Sequence, residues 1–172
     1  MPPAQPLHLL SATELLAGYR ARQFSPVEVT RACLGAIAAR DPALAAFVVV
    51  LEAEALAQAR ASEARWHAGA PEGLLDGVPV TVKDLCQTVG APARNGSLTT
   101  TDAPGTVDAP CVARLREAQA VLLGKTAMCE FGWKGVTDSP LLGVSRNPWD
   151  PARTCGGSSG GGFGGGGEAK RS

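Results

Sequence analysis

The residues from Gly156 to Gly167 are almost all glycine or serine, and they constrain the fold of this chain more than any other stretch. Glycine loses more conformational freedom on folding than any other residue, so such a run does not favour the interior of a helix or strand. It forms either a flexible tail or a loop that contributes to a catalytic site. The residues that precede it must supply the hydrophobic core and decide between these alternatives.

The composition indicates a soluble protein with one domain. The chain has 172 residues, of which 45% are hydrophobic, which is enough for one sizeable core. Sixteen basic and sixteen acidic residues give no net charge, which argues against nucleic acid or a membrane surface as partner. No apolar run is long enough to span a bilayer, and the start at Met1 lacks the plan of a signal peptide. We expect a cytoplasmic protein whose partners are small neutral or polar molecules.

The cysteines do not indicate a metal site or a disulfide framework. They are five in number, scattered, and without a Cys-x-x-Cys pair, and only two histidines accompany them. We therefore predict that the protein uses no metal and no cofactor. The thiols are interpreted as spectators: Cys33, Cys86, Cys111, Cys129 and Cys155.

The first third of the sequence predicts helices. Ser11–Glu14 and Ser25–Glu28 both have the pattern of a capping box, and the second has proline at the first helical position. We expect the second helix to end near Asp41–Pro42, because proline disfavours helix in the residue before it. Residues 46–50 then predict a short strand, and residues 52–67 predict a further helix.

The middle of the sequence changes to an α/β pattern. Residues 77–84 alternate, so that three valines share one face of a strand and Lys83 lies at its end on the opposite face. A helix capped by Asp108, with apolar positions at Val112, Leu115 and Ala118, and a strand at residues 120–124 follow. Strand, helix and strand in this order favour a parallel sheet. Residues 138–155 are predicted to form a loop, because two Asx-Pro pairs punctuate them.

Two short motifs in the sequence lack the context that their chemistry requires. Residues 156–160 satisfy Gly-x-Ser-x-Gly, but a nucleophile elbow needs a strand before it and a histidine after it, and no histidine follows. Residues 124–126 resemble the end of a phosphate-binding loop, yet Gln119 occupies the position of the first glycine. Neither a serine hydrolase of that type nor a mononucleotide site is predicted.

Five blocks of the sequence together resemble the amidase signature family in order and spacing. The resemblance extends over about residues 8–161, and no single motif would support it alone. The blocks are Gly77-Val-Pro-Val-Thr-Val-Lys83-Asp84, Val112-Ala-Arg-Leu-Arg116, Leu123-Gly-Lys-Thr126 with Glu130-Phe-Gly132, Arg146-Asn-Pro-Trp-Asp150, and Gly156-Gly-Ser-Ser-Gly-Gly161.

The resemblance implies a Ser/cis-Ser/Lys triad that hydrolyses carboxamide C–N bonds of small-molecule substrates. Lys83 matches the triad lysine, and Ser158 matches the bridging serine, whose preceding peptide bond is expected to be cis. Gly157 lowers the steric resistance to that bond. Ser159 and Asp84 are possible supporting residues.

The resemblance also implies the fold class, which is α/β: a mixed β-sheet wrapped by helices, of which this chain supplies the N-terminal portion. We predict a partial amidase domain over residues 1–161, with a helical start at about 8–70 and an α/β part at about 74–161. Residues 162–172 lack a helical apolar period and are predicted to form a divergent, disordered tail.

The family's acylating serine lies in an Asp-x-Gly-Gly-Ser stretch, about two dozen residues after the bridging serine, whose backbone amides also supply the oxyanion hole. This sequence contains no such stretch. We therefore expect an inactive fragment, produced by truncation or by a frameshift. In relatives, proline is common at the position of Cys155 and glycine at the position of Gln119.

Two alternatives fit the same residues: a non-catalytic fragment that binds a partner, and a fragment of an amidotransferase A-type subunit. Residues 131–138 look closer to free-standing amidases. The substrate and the formation of a homo-oligomer are left open. Trp133, Trp149 and the region of Met128 are predicted to pack rather than bind.

Overall fold

The computed structural model describes the backbone of residues 5–165 and the side chains of residues 5–162. The helices are α1 (Ala12–Arg20), α2 (Pro26–Leu44), α3 (Glu52–His67), α4 (Pro110–Glu117) and α5 (Gly160–Gly165), with short 3-10 helices at Leu7–Leu9 and Glu130–Gly132. The strands are β1 (Phe47–Val50), β2 (Pro79–Lys83), β3 (Val121–Thr126), β4 (Asp138–Ser139), β5 (Gly143–Val144), β6 (Arg146–Asn147) and β7 (Asp150–Thr154).

The contacts divide the chain into two compact units. The first unit contains the described residues up to Ala36, together with Leu51–Val80 and Ala113–Leu123. The second contains Ile37–Val50, Thr81–Val112 and the described residues from Gly124 onward. Each unit is assembled from separated stretches of sequence, and the predicted consecutive division near residues 70–74 stays a prediction.

Both predicted capping boxes are present. At the start of α1, the Ser11 hydroxyl accepts the Glu14 N–H at 3.3 Å, and the Glu14 carboxylate accepts the Ser11 N–H at 2.7 Å. The same reciprocal pair joins Ser25 and Glu28 at the start of α2, at 3.2 and 2.8 Å. Each box satisfies donors that a helix start otherwise leaves unpaired, so these helix starts are fixed by local sequence.

The predicted end of α2 is wrong, because the helix continues through Pro42 to Leu44. Leu44 is buried with Ala46 and Phe47, and this apolar cluster of the second unit stabilises the extra turn. The Asp41 carboxylate accepts the N–H groups of Ala46 and Phe47 at 2.6 and 3.1 Å. These contacts outweigh the local restriction that proline places on the residue before it.

A three-stranded sheet has the order β1-β3-β2. β1 is antiparallel to β3, whose six residues are all buried. Hydrogen bonds at the two ends of β2 and β3 give their relative direction. Val121 N–H donates to Val78 O at 2.9 Å at one end, and Asp84 N–H donates to Thr126 O at 3.0 Å at the other, so residue numbers increase in the same direction along both strands. This register is the predicted parallel pairing, so the sheet is mixed.

Residues 138–154 form two small antiparallel pairs rather than the predicted loop. β4 pairs with β5, and β6 pairs with β7. Two of the proline-containing turns that favoured a loop instead lie at or within these short strands. Three of these four strands have only two residues, which leave almost no periodic signal in a sequence, and β7 contains Pro151, which argues against a strand.

Helix α5 extends into the segment predicted to be disordered. Residues 162–165 have helical backbone, while residues 166–172 lie outside the described part of the chain, and the disordered tail stays a prediction. The helix start is held by contacts distant in sequence: Gly160 N–H donates to the Thr137 hydroxyl at 2.8 Å, and Gly161 N–H donates to Ala127 O at 3.2 Å. Intrinsic propensity does not register such contacts.

The first unit packs around Tyr19, which is buried together with Leu15, Val29 and Val78. The Tyr19 hydroxyl donates to Gly77 O at 3.0 Å, so its polar atom has a partner inside the core. Beside this cluster, the Arg65 guanidinium donates to both carboxylate oxygens of Asp76, at 2.9 and 2.6 Å. Such a bidentate pair satisfies a fully buried carboxylate.

Helix α4 ends in a Schellman motif that has a glutamine at the position usually taken by glycine. Ala120 N–H donates to Leu115 O at 3.1 Å, and Gln119 N–H donates to Arg116 O at 2.9 Å. Gln119 has a φ of 62°, in the left-handed region that side chains with a Cβ disfavour. The position is fixed, because the Gln119 carbonyl accepts the Gly77 N–H at 3.0 Å.

Gln119→Gly is expected to raise the free energy of unfolding by about 1 kcal/mol, because glycine adopts this conformation without the Cβ penalty. Urea denaturation measures the change as a higher midpoint at an unchanged slope. Gln119→Ala is the matched control, since it removes the long side chain but keeps the Cβ. An equal gain from both variants would show that the backbone conformation is not the cause.

Candidate active site

Lys83 and Ser158 are separated by 75 residues in the sequence and meet in the second unit. The Lys83 ammonium donates to the Ser158 hydroxyl oxygen, with 2.8 Å between Nζ and Oγ. Lys83 is the last residue of β2, and the peptide bond between Gly157 and Ser158 is cis, as the resemblance implies. Both residues are partly exposed.

The backbone of Val136 and the Thr137 hydroxyl contact the glycine-serine segment. A Cβ added to Gly157 would lie 2.6 Å from the carbonyl carbon of Val136, so only glycine fits this close approach. Gly156 has a φ of +83°, which also favours glycine. Neighbouring residues therefore fix the conformation of residues 156–161. Glycine allows the backbone of this segment to approach those neighbours closely.

Asp84 follows Lys83 and organises the next loop. Its carboxylate accepts the N–H groups of Arg94 and Gly96, both at 3.1 Å, and is fully buried. The Lys125 ammonium lies 3.4 Å from the same carboxylate and donates to Pro92 O at 2.6 Å. Asp84 thus connects residues 92–96 to Lys125 of β3, in the segment that directly follows Lys83. Contacts of this kind are those of a residue that positions its neighbours.

Lys125 was not identified from the sequence as a site residue. It lies in β3 between Gly124 and Thr126 and is completely buried. Burial lowers the pKa of the Lys125 ammonium, and the attraction and hydrogen bond of Asp84 oppose that shift. The available signal was a lysine that closely follows the apolar run Val121–Leu123 in the same strand, since lysine is almost never fully buried without a partner.

Ser159 has different surroundings from Ser158. The Ser159 carbonyl accepts the Gly162 N–H at 3.1 Å, and none of the described hydrogen bonds joins its hydroxyl to Lys83 or Ser158.

The prediction that Trp133, Trp149 and the region of Met128 pack is partly wrong. Met128 is fully buried, but 75% of Trp133 and 51% of Trp149 are exposed. Their neighbours in sequence do not supply enough apolar surface to cover them.

Comparison with known proteins identifies the family. The Amidase family model matches residues 28–162. The indoleacetamide hydrolase of Bradyrhizobium diazoefficiens is 42% identical over 92% of this chain and 30% of its own length. The A subunit of the glutamyl-tRNA(Gln) amidotransferase of Acidothermus cellulolyticus is 46% identical over 88% of this chain and 30% of its own length.

Solved structures show the same similarity. A bacterial aryl acylamidase of the amidase signature enzymes superimposes with a TM-score of 0.86 at 35% identity, covering 91% of this chain and 33% of that one. The peptide amidase from Stenotrophomonas maltophilia superimposes with a TM-score of 0.82 at 31% identity, over 93% and 33% of the two chains. The chain therefore belongs to the amidase signature family, and it spans about a third of the length of these relatives.

Within residues 5–165, no group of three or more metal-ligating side chains is arranged to hold a metal ion. The helices of this described part include none that is both long and apolar enough to cross a membrane.

Lys125→Met is expected to lower the free energy of unfolding by about 3 to 5 kcal/mol, because it leaves the Asp84 carboxylate buried without its cation. The double variant Asp84→Asn/Lys125→Met should lose less than the sum of the two single variants, by about 1 kcal/mol or more. Urea denaturation of the four proteins gives the coupling.

Lys134→Met is the matched control for the loss of a lysine. Lys134 pairs with Asp138, but 30% of its side chain is exposed, so we expect a loss below about 1 kcal/mol. Additive effects of Asp84→Asn and Lys125→Met would contradict a buried network that acts as a unit.

Proposed function

We propose that this chain carries the lysine and the bridging serine of an amide-hydrolysing Ser/cis-Ser/Lys site, with Lys83 and Ser158 in these roles. The observation that supports the proposal most is the 2.8 Å hydrogen bond between Lys83 Nζ and Ser158 Oγ. This distance allows direct proton transfer between the two groups. The two residues are 75 positions apart in the sequence, and Ser158 lies in a glycine-rich loop. A purely structural role would seldom need a lysine to bond a serine in such a loop.

Proton transfer would run from the acylating serine to Ser158 and from Ser158 to Lys83. In its neutral form Lys83 accepts the Ser158 proton, and Ser158 then accepts the proton of the attacking hydroxyl. When the amine leaves, the same groups return a proton to it. Asp84 and Gly157 support this relay: the first positions the segment after Lys83, and the second lets the loop approach Val136.

The acylating serine is not assigned to any residue of this sequence. The 172 residues contain no Asp-x-Gly-Gly-Ser stretch. We propose that the polypeptide alone holds two of the three triad residues and does not form an acyl-enzyme. Its substrate class is a carboxamide, as the names of the indoleacetamide hydrolase and the peptide amidase suggest.

A binding role without catalysis is the second candidate, and exposed apolar side chains of the second unit favour it. Trp133, Leu98 and Phe131 are exposed by 75%, 64% and 57%. Exposed apolar side chains of this size are typical of surfaces that another polypeptide covers.

A third candidate is an amidotransferase A-type role, which the 46% identity to the amidotransferase A subunit of Acidothermus cellulolyticus supports. A cytoplasmic location stays a prediction.

The proposal predicts that residues 1–161 can replace the equivalent third of the bacterial aryl acylamidase. We expect the chimera to hydrolyse an aryl acylamide, and Lys83→Ala or Ser158→Ala to lower kcat by about 100-fold or more, because each removes one step of the relay. Initial rates measure the loss, and circular dichroism confirms that each variant is folded.

Two variants serve as controls in the same chimera. Lys134→Ala removes a lysine outside the proposed relay and should leave the rate unchanged. Ser159→Ala tests the supporting role of the second serine, with a loss below about tenfold expected for a residue that only orients the others. A folded, active chimera that keeps its rate after Ser158→Ala would overturn the assignment of the bridging serine.

The 172-residue polypeptide by itself is expected to release no amine from aliphatic or aromatic amides above the background without protein. Ammonia or aniline release is the measurement. Hydrolysis that both Lys83→Ala and Ser158→Ala abolish would instead show that a nucleophile is present among these residues.

A further inference from the structure

Two cysteines of the second unit place their sulfur atoms next to each other. The Sγ atoms of Cys86 and Cys111 are 3.7 Å apart, although 25 residues separate them in the sequence. Cys86 is partly buried, and Cys111 is exposed. The sulfurs of Cys129 and Cys155 contact backbone carbonyls instead, those of Lys134 and Ser145, both at 3.3 Å.

The backbone on both sides of the pair is held in place. Cys86 N–H donates to Lys83 O, and Ala109 N–H donates to Gln87 O, both at 2.9 Å. Val89 N–H donates to the Asp108 carboxylate at 2.7 Å. The segments 86–89 and 108–111 therefore lie side by side, and the short distance between the sulfurs does not depend on side-chain rotamers alone.

We propose that Cys86 and Cys111 form a dithiol site that a hydroperoxide oxidises to an intramolecular disulfide. Closing the pair requires the sulfurs to approach from 3.7 Å to a bond length of about 2.05 Å. The backbone bonds that align the two segments already bring the thiols within reach of each other. The proposal is independent of the proposed amide hydrolysis.

The reaction has two balanced steps. The Cys111 thiolate attacks the outer oxygen of the hydroperoxide ROOH, so that the O–O bond breaks and, with one proton taken up, Cys111 sulfenic acid and ROH result. The Cys86 sulfur then attacks the sulfenic sulfur, and the hydroxyl leaves with the thiol proton as water. Two electrons pass from the two thiols to the peroxide.

The surroundings of the two thiols determine this order. Cys111 is exposed, so the oxidant reaches it first. Burial raises the pKa of the Cys86 thiol, and its hydrogen bond with Cys111 raises it further, which keeps Cys86 a protonated, slower nucleophile. Cys86 therefore acts as the resolving cysteine, because it reacts once the neighbouring sulfur has become an electrophile.

The disulfide would close a ring that contains the loop 92–96 and would tie the turn after Lys83 to the first residues of α4. Cys86 N–H contacts the Lys83 carbonyl, so the cross-link lies one hydrogen bond from the proposed site lysine. Its formation constrains the unfolded chain, so we expect a higher urea midpoint for the oxidised protein.

The test treats the folded 172-residue chain with hydrogen peroxide at a few equivalents, alkylates the remaining thiols and digests with trypsin. Cys86 and Cys111 lie in separate tryptic peptides, residues 84–94 and 95–114. The expected product is these two peptides joined, with a mass lower by two hydrogen atoms than their sum, and with Cys33, Cys129 and Cys155 alkylated.

Cys111→Ser should abolish the joined peptides, while the matched variant Cys33→Ser should retain them. Phenylarsine oxide, which bridges close dithiols with loss of water, gives a second measurement on the unchanged chain: it should remove two alkylatable thiols and prevent the cross-link. Two outcomes would overturn the proposal. In the first, Cys86 can still be alkylated while Cys111 is oxidised to sulfinic acid. In the second, disulfides between other cysteines form in the same yield as the one between Cys86 and Cys111.

Discussion

The buried ion pair of Lys125 and Asp84 is the interaction on which the arrangement of the site depends. A lysine in the middle of a buried strand is tolerated only because a carboxylate and a backbone carbonyl surround its ammonium group. The same carboxylate collects two N–H groups of the following loop. One network therefore connects β3 to the loop that follows Lys83 at the end of β2.

The glycine-serine run acquires its structure from other parts of the second unit. Its contacts are mostly made by backbone groups, with Val136, Thr137 and Ala127 as partners. Glycine at these positions allows the main chain to come close enough for such contacts. The entropic cost of ordering so many glycines is offset by tertiary hydrogen bonds, which explains why the same composition continues into helix α5.

The elements that could be predicted from the sequence are those whose causes are local. Capping boxes specify where α1 and α2 begin, and alternation specifies β2 and the face of Lys83. The end of α2 at Leu44 and the short strands at residues 138–154 depend on side-chain burial and on hydrogen bonds between neighbouring segments, which periodicity does not contain. The pairing of Lys83 with Ser158 followed from family resemblance alone, and Lys125 was missed because the predicted strand ended at residue 124, one residue before it.

The close approach of Gly157 to Val136 separates two kinds of sequence freedom. The contact is made by the backbone of Val136, so the identity of the side chain at that position is not specified by it. At position 157, in contrast, the absence of a side chain is the requirement. A loop built in this way can keep its shape while the side chains around it diverge, because the contact that holds Gly157 close to its neighbour does not depend on those side chains.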